Sequence, residues 1–505
     1  MSVRSAAHRW LAAAGFALLV ALLLYGLRML AARIVAAHLH DAANRQLALI
    51  EHGRPLWDWP LQQPHDLVAG RAFGAADVQG ANDGLRITSL DGTPFEIGLP
   101  VRGMLDPQHW PLLSLQGAAD APFRLGVAWQ PRLNQPGCFA WLPAPIAGNA
   151  LQVAFDLRHL HWQATHGGDC AAPKRIEVLR LKLALPAHAS LRLDEVALRR
   201  DVSEAPRPIP AQPALQLSPE SSIAARQLAD AALPAAPWIA LPAGASAETQ
   251  LALRELVWQQ RPGALILLHG DTPIAMNAPG DHDWLPWLGA VGYLLALIVL
   301  ALRPLRLPGR LWLELVACLV GPLWLIVGLQ LGLRLTVPSL LVFAGAVLFA
   351  VQAERHRHSV KWHWFGNWRA WLMPFALLPL ALLLVARFGS QPATPTLGHV
   401  LTYLSWALLQ QWLMLAVVMR RLEGNRVPAA LAVLFTALVF ALMHTPNGAL
   451  MQLCLLAELW WAWCFRRSRA LLPVAMAHAA CALLVEAGLV GGLLRSLEVS
   501  GRFFL

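Results

Sequence analysis

Residues 406–415 read WALLQQWLML, residues 440–448 read FALMHTPNG and residues 471–480 read LLPVAMAHAA. Each apolar stretch is interrupted by a polar mark: Gln410-Gln411, His444 and His478. A polar side chain in a lipid-spanning helix is costly, so it faces a packed interior or a water-filled cavity. Three such marks on three neighbouring apolar stretches read as one buried site in a helical membrane domain.

The rest of the chain supports a membrane setting. Of its 505 residues, 57% are hydrophobic and 14% charged, against about 25% charged in a soluble globular protein. The apolar excess lies after residue 284. Spans are expected near 284–302, 311–331, 336–352, 370–387, 398–419, 428–444, 448–465 and 471–492. An uncleaved signal anchor over Trp10–Leu30 brings the number to about nine, each near the ~20 residues that a bilayer requires. Arginines cluster in alternate loops: Arg303, Arg306 and Arg310; Arg355, Arg357, Lys361 and Arg369; Arg420, Arg421 and Arg426; Arg466, Arg467 and Arg469. All fall on one side if the N-terminus is cytoplasmic, and the intervening loops carry little charge, Arg334 excepted. The positive-inside rule then puts residues 35–283 outside the cytoplasm. The net charge of +10 is accounted for by these loops, so no nucleic-acid partner is expected.

Between residues 40 and 200 the texture changes. Turn signals such as Asn82-Asp83-Gly84 and Asp91-Gly92 separate LRITSL, FRLGVAWQ, LQVAFDL, IEVLRLKLAL and SLRLDEVAL. Short strands with regular turns predict a sandwich. Trp57, Trp59, Trp110, Trp129 and Trp162 belong to the core of such a sandwich; exposed, they would stack on a carbohydrate. Cys138 and Cys170 are the only cysteines in the insert and are expected to pair if it is exported. Residues 201–246, rich in Pro and Ala, read as a linker. LALRELVWQQ (251–260) has helical periodicity, GALILLHG (263–270) reads as a buried strand, and His269-Gly270-Asp271 as a turn at its end. The fold expected is a polytopic α-helical membrane protein of about nine spans with an exported, mainly-β, jelly-roll-like sandwich. Its segments are an anchor (1–34), the sandwich (35–200), a linker with a small α/β segment (201–283), membrane helices (284–390) and a site-bearing domain (391–505).

The site-bearing stretch resembles the CAAX protease and bacteriocin-processing (CPBP, or Abi) family of intramembrane proteases. That family carries Glu-Glu-x-x-x-Arg on one helix, then Phe-x-x-x-His, then His-x-x-x-Asn. Phe440 and His444 fit the second element. His478, after the basic turn Arg466-Arg467-Ser468-Arg469, fits the third. Gln410 and Gln411 stand at the two glutamates, Leu415 at the arginine and Ala482 at the asparagine, a Gln-Gln variant of the pattern. The resemblance covers roughly the last quarter of the chain. It implies an intramembrane endopeptidase of the bacterial inner membrane acting on membrane-tethered peptides or proteins. It leaves open a divalent metal such as zinc held by His444 and His478, or no metal. The alternative is a catalytically inactive scaffold of the same fold, with an envelope or carbohydrate partner for the exported domain.

A glutamine amide cannot accept a proton from water; a carboxylate or an imidazole can. At a rise of about 1.5 Å per residue, Gln410 and Gln411 lie about 18 Å and Glu458 about 15 Å below the outer face. His478 lies about 12 Å above the inner face, in the same layer. His444 falls nearer the outer face unless its helix is tilted or shifted, but the family register groups it with the others, so Gln410, Gln411, His444, Glu458 and His478 are expected to line one polar cavity, with Glu458 or a histidine as base. Glu486, eight residues beyond His478, points elsewhere, and Glu314 is expected at the membrane interface.

Overall fold

The computed structural model describes residues 3–51, 57–199 (without 82–83, 102–104, 106, 109, 132–134, 147–149, 166 and 175), 213–230, 233, 238–261, 264–271, 284–302, 309–328, 336–355, 362–389, 395–490 and 494–504. Several sequence features lie outside the described residues: Asn82 and Asp83, residues 201–212, 231–232 and 234–237 of the Pro/Ala-rich stretch, and the loop residues Arg303, Arg306, Arg334, Arg357 and Lys361. The chain divides into two compact units. One comprises Met1–Ala36, Ala245–Leu251 and Pro279–Leu505; the other comprises Ala37–Gly244 and Ala252–Ala278.

The first helix, α1 (Val3–Glu51), is 49 residues long and runs well past the span expected over Trp10–Leu30. Neither Gly nor Pro lies between Arg28 and Glu51, and the Ala/Leu-rich sequence there suits a helix, so the arginines that flank the apolar core do not end it.

In the second unit the five strand-like stretches are all strands, arranged in two antiparallel sheets. One sheet runs in the order Ala76–Ala81, Gly84–Ser89, Ser190–Arg199, Leu112–Ala119, Leu151–Asp156. Trp57–Pro60 pairs with the C-terminal part of the long Ser190–Arg199 strand. The other runs Gln163–Ala164, Cys138–Trp141, Arg124–Gln130, Val178–Ala184, Phe95–Leu99, Ala72–Phe73. The alternation that signals a strand is the alternation of burial: in VLRLKLA, Leu179, Leu181 and Leu183 are fully buried while Arg180 and Lys182 are half-exposed. Each such leucine contributes about 1.5–3 kcal/mol. Trp59, Trp110, Trp129 and Trp162 are core residues, and Trp57 packs against them. They are thus not surface platforms for a sugar. Cys138 and Cys170 form a disulfide.

The stretch read as a linker in fact carries structure from Leu215 onward. Strands Leu215–Gln216, Trp238–Leu241 and Leu265–Leu268 form a parallel sheet in chain order, connected by α2 (Ser221–Leu228) and α3 (Ala247–Gln260). Trp238–Leu241 and Leu265–Leu268 are buried on both faces, as the strands of a parallel sheet commonly are, whereas Gln216 of the edge strand is exposed. His269 and Gly270 form the turn ending the last strand.

The membrane helices follow: α4 (Trp284–Leu302), α5 (Arg310–Leu323), α6 (Val337–Arg355), α7 (Trp368–Leu372), α8 (Leu377–Phe388), α9 (Leu397–Gln411), α10 (Arg420–Gly424), α11 (Ala429–Leu442), α12 (Gly448–Ser468) and α13 (Leu472–Leu489). A π-helical stretch, Trp412–Met419, joins α9 and α10 into one rod. Among the described residues eight helices are long and apolar enough to cross a membrane, and α11 is a shorter apolar helix of 14 residues. The segment read as a ninth span is therefore present but too short to count with the others.

Glu314 lies near the start of α5. It is buried in the helical unit, with its carboxylate 2.9 Å from Arg310 and 3.3 Å from Arg421. Arg421, fully buried, also reaches Glu354 at 2.9 Å, and Arg420 reaches the same carboxylate at 2.8 Å. Two of the arginines read as loop charges thus form a buried ionic cluster that joins α5 and α6 to the end of the α9 rod.

Candidate active site

Gln411 is the last residue of α9, where α-helical geometry gives way to the π-helical stretch. A π-helical turn widens the spacing of side chains and recurs at functional sites. Here it begins at the polar residue itself. Gln411 is fully buried, as is Glu458 of α12, and His478 of α13 is 5% exposed.

The Gln411 amide links the other two. Its Nε2 donates to Glu458 Oε2 at 2.8 Å and to His478 Nδ1 at 3.2 Å. An Nδ1 that accepts a hydrogen bond carries no proton, so His478 presents its Nε2 as an N–H donor. The remaining oxygens, Gln411 Oε1 and Glu458 Oε1, have no partner among the described residues. A buried acceptor without a donor costs about 1–3 kcal/mol. Two such atoms on bonded neighbours mark a place for a donor from outside the chain, such as a water or a peptide N–H.

His444 lies in the turn that follows α11. Its Nδ1 donates to the Phe440 carbonyl at 2.8 Å, one helical turn back. That leaves the lone pair of the neutral ring on Nε2. The two histidines are therefore held in opposite tautomers: His444 with a free acceptor, His478 with a free donor. The Phe440 ring packs edge-on against both, with centroids 4.9 Å from His444 and 5.4 Å from His478. Trp461, 3% exposed, lies over the other side of His478 at 5.0 Å. Trp461 is thus a wall of the site.

The structure brings together Gln411, Glu458 and His478 directly, and His444 through Phe440. Gln410 is half-buried and makes no hydrogen bond to this group among the described residues. Glu486, as expected, does not pair with His478; it bonds His399 of α9 at 2.9 Å. The sequence held no sign of that pair, which joins residues 87 apart.

The turn carrying His444 is fixed by the C-terminal segment. Ser500 N donates to the Thr445 carbonyl at 2.8 Å, and Asn447 Nδ2 donates to the Ser496 and Glu498 carbonyls at 2.7 and 3.2 Å. Asn447 also caps α12, its side chain accepting from Leu450 N. The Thr-Pro-Asn-Gly run after His444 is a visible turn signal, but nothing in it points to the tail as its partner.

A zinc-type site takes three or four converging N, O or S ligands. Among the described residues no group of three or more His, Cys, Asp or Glu side chains stands together. Each histidine has its Nδ1 engaged, one by Gln411 and one by a carbonyl. Among the described residues His444 and His478 bring two imidazoles to the site, short of the three or four ligands such a metal takes.

Residues 392–484 match the family described as Type II CAAX prenyl endopeptidase Rce1-like. The match spans α9 to α13 and so includes every residue of the site. No curated protein matches the chain.

Proposed function

Because residues 392–484 match the Type II CAAX prenyl endopeptidase Rce1-like family, we propose that this chain is a CPBP-type intramembrane protease that hydrolyses membrane-tethered peptides or proteins with a carboxylate supplied from α12, not from the Glu-Glu helix of the family pattern. The observation that carries the proposal is the Gln411 amide bonded to both Glu458 and His478. Glutamine occupies the family's glutamate position, and the carboxylate lies one hydrogen bond away.

Each group then has a role its bonding suits. His478 Nε2–H donates to the scissile carbonyl and stabilises the oxyanion as it forms. Glu458 Oε1, free of partners, takes a proton from the attacking water. The water oxygen bonds the carbonyl carbon, the C–N bond breaks, and the proton passes to the leaving nitrogen. Gln411 holds Glu458 and His478 in register and fixes the His478 tautomer. His444 Nε2 is a second acceptor at the mouth of the site.

The test is processing of candidate membrane peptides at matched protein levels. Glu458→Gln and His478→Ala should each lower the rate by about 10²–10⁴. If wild type is inert while Gln410→Glu/Gln411→Glu cleaves, the protein is a scaffold on a protease fold, binding an envelope partner.

The arginine-rich loops support a bacterial inner-membrane location with residues 35–283 outside the cytoplasm. Reporter fusions at Ser222 and at His358 should give opposite signals, external and cytoplasmic respectively. The reverse pattern would overturn this topology.

A further inference from the structure

We infer that the cavity between α7 and the C-terminal end of α12 binds the phosphate of an anionic lipid headgroup. Arg369, Arg467, Asn367 and Ser468 line it, over a floor of Ala370, Met373 and Cys464. Its volume of about 150 Å³ is below the ~300–1,000 Å³ of sites that engulf a drug-sized molecule. It therefore suits a headgroup fragment, not a whole ligand.

The two arginines are set apart from their neighbours by what they lack. Arg466 and Arg469 face Glu423 at 3.8 and 2.7 Å, and Arg420 and Arg421 face Glu354. Arg369 and Arg467 have no acidic partner among the described residues. Each guanidinium is instead held over an indole: Arg369 over Trp368 at 5.2 Å and Arg467 over Trp463 at 4.4 Å. Stacking fixes the plane of a guanidinium while leaving its N–H fork free, which is the arrangement that recognises phosphate.

The surroundings point to a lipid as the source of that phosphate. Trp364, Phe365 and Trp368, in the segment entering α7, are 48–68% exposed. Exposed aromatics at a helix end sit at headgroup level in a bilayer, and basic pockets between helices at that level take anionic headgroups. The segment is also anchored to the turn before α13. His363 N donates to the Arg469 carbonyl, Leu471 N to the His363 carbonyl and Leu472 N to the Trp364 carbonyl, at 2.9–3.0 Å. A headgroup bridging Arg369 and Arg467 would therefore clamp α7 to α12 beside the turn that leads to His478.

Native mass spectrometry of the full-length protein in detergent tests this, with phosphatidylglycerol, phosphatidylcholine of the same acyl chains, or inorganic phosphate added. The protein should retain phosphatidylglycerol over phosphatidylcholine. Arg369→Gln and Arg467→Gln should each lower that preference about fivefold, and the double variant should abolish it. Arg387→Gln, at a cation elsewhere on the helical unit, should leave it unchanged. A thermal melt checks that the variants are folded, and Arg369→Lys/Arg467→Lys, which keeps the charge, should retain part of the preference. Equal retention of the two lipids, or a preference that survives the double variant, would overturn the proposal. Displacement of phosphatidylglycerol by inorganic phosphate, independent of acyl chains, would assign the pocket to a free anion and overturn the lipid reading.

Discussion

Gln411→Glu places a second carboxylate against Glu458, and the contact it alters is the one on which the site reading depends. The amide nitrogen now sits 2.8 Å from Glu458 Oε2. Two full charges at 2.8 Å would repel by about 6 kcal/mol at an effective dielectric of ~20, an upper bound, since one of two such carboxylates takes up a proton instead. The substitution also removes the donor to His478 Nδ1, leaving a buried acceptor at a cost of about 1–3 kcal/mol. Side-chain relaxation absorbs part of this, so a net loss of several kcal/mol is expected, a large share of the 5–15 kcal/mol typical of a domain. Glu458→Gln in the same chain restores an amide–carboxylate pair with the partners exchanged. A double-mutant cycle on Gln411→Glu and Glu458→Gln, read by denaturant or thermal unfolding in detergent, should therefore return a coupling of at least about 2 kcal/mol. The exchanged protein should also regain peptide processing relative to either single variant, since the carboxylate then stands at the family's position. A coupling below about 0.5 kcal/mol, the usual limit of additivity, would refute the contact and the role built on it.

Three further outcomes are expected. Peptide mapping without reductant should recover Cys138 linked to Cys170, and replacing both by serine should cost about 3–4 kcal/mol for a loop closed over 32 residues; free thiols in protein taken from the envelope would count against export as well. Arg421→Leu should destabilise the helical unit by about 3–5 kcal/mol, because it leaves Glu314 and Glu354 buried with fewer cations; an unchanged melting temperature would remove the ionic cluster from the account. Burial of Asp156 would raise its pKa, but hydrogen bonds from Arg158 outweigh this and hold it below the ordinary Asp value. The stability it contributes is thus present above about pH 4 and lost as pH falls through the lowered value. The isolated-domain signal of Asp156→Asn should show a shallower acid transition than wild type, and identical acid transitions would contradict this.

The membrane helices and the sandwich strands were legible because each rests on local periodicity. LRITSL and IEVLRLKLAL alternate, and every strand read that way is a strand. The grouping of Gln411 and His478 was legible from the family register, and that of Glu458 with them from depth, since helical rise converts residue counts into layers. Depth says nothing of azimuth, however. It could not choose between Gln410 and Gln411, nor show that the Phe440 ring packs against both histidines. Glu314 illustrates a second limit. Its distance from the helix end gave its depth but not its packing: its partner Arg421, over a hundred residues away on another helix, leaves no trace in the local pattern. The strand in GALILLHG was read as such, but the length of α1 and the strands Leu215–Gln216 and Trp238–Leu241 were missed for the opposite reason: Ala-rich sequence is permissive and carries little periodic signal.

The binding of the final segment to the histidine turn bears on how the protein should be handled. Phe503 and Phe504 are buried, and Ser500 is bonded to the residue after His444. An affinity tag or fluorescent fusion appended to this end would therefore be tethered within a few residues of the site, where it could pull Thr445 and Asn447 out of place. A weakly active preparation carrying such a tag would say little about the untagged protein. Purification handles belong at the other end, ahead of α1, or in an exposed turn of the sandwich.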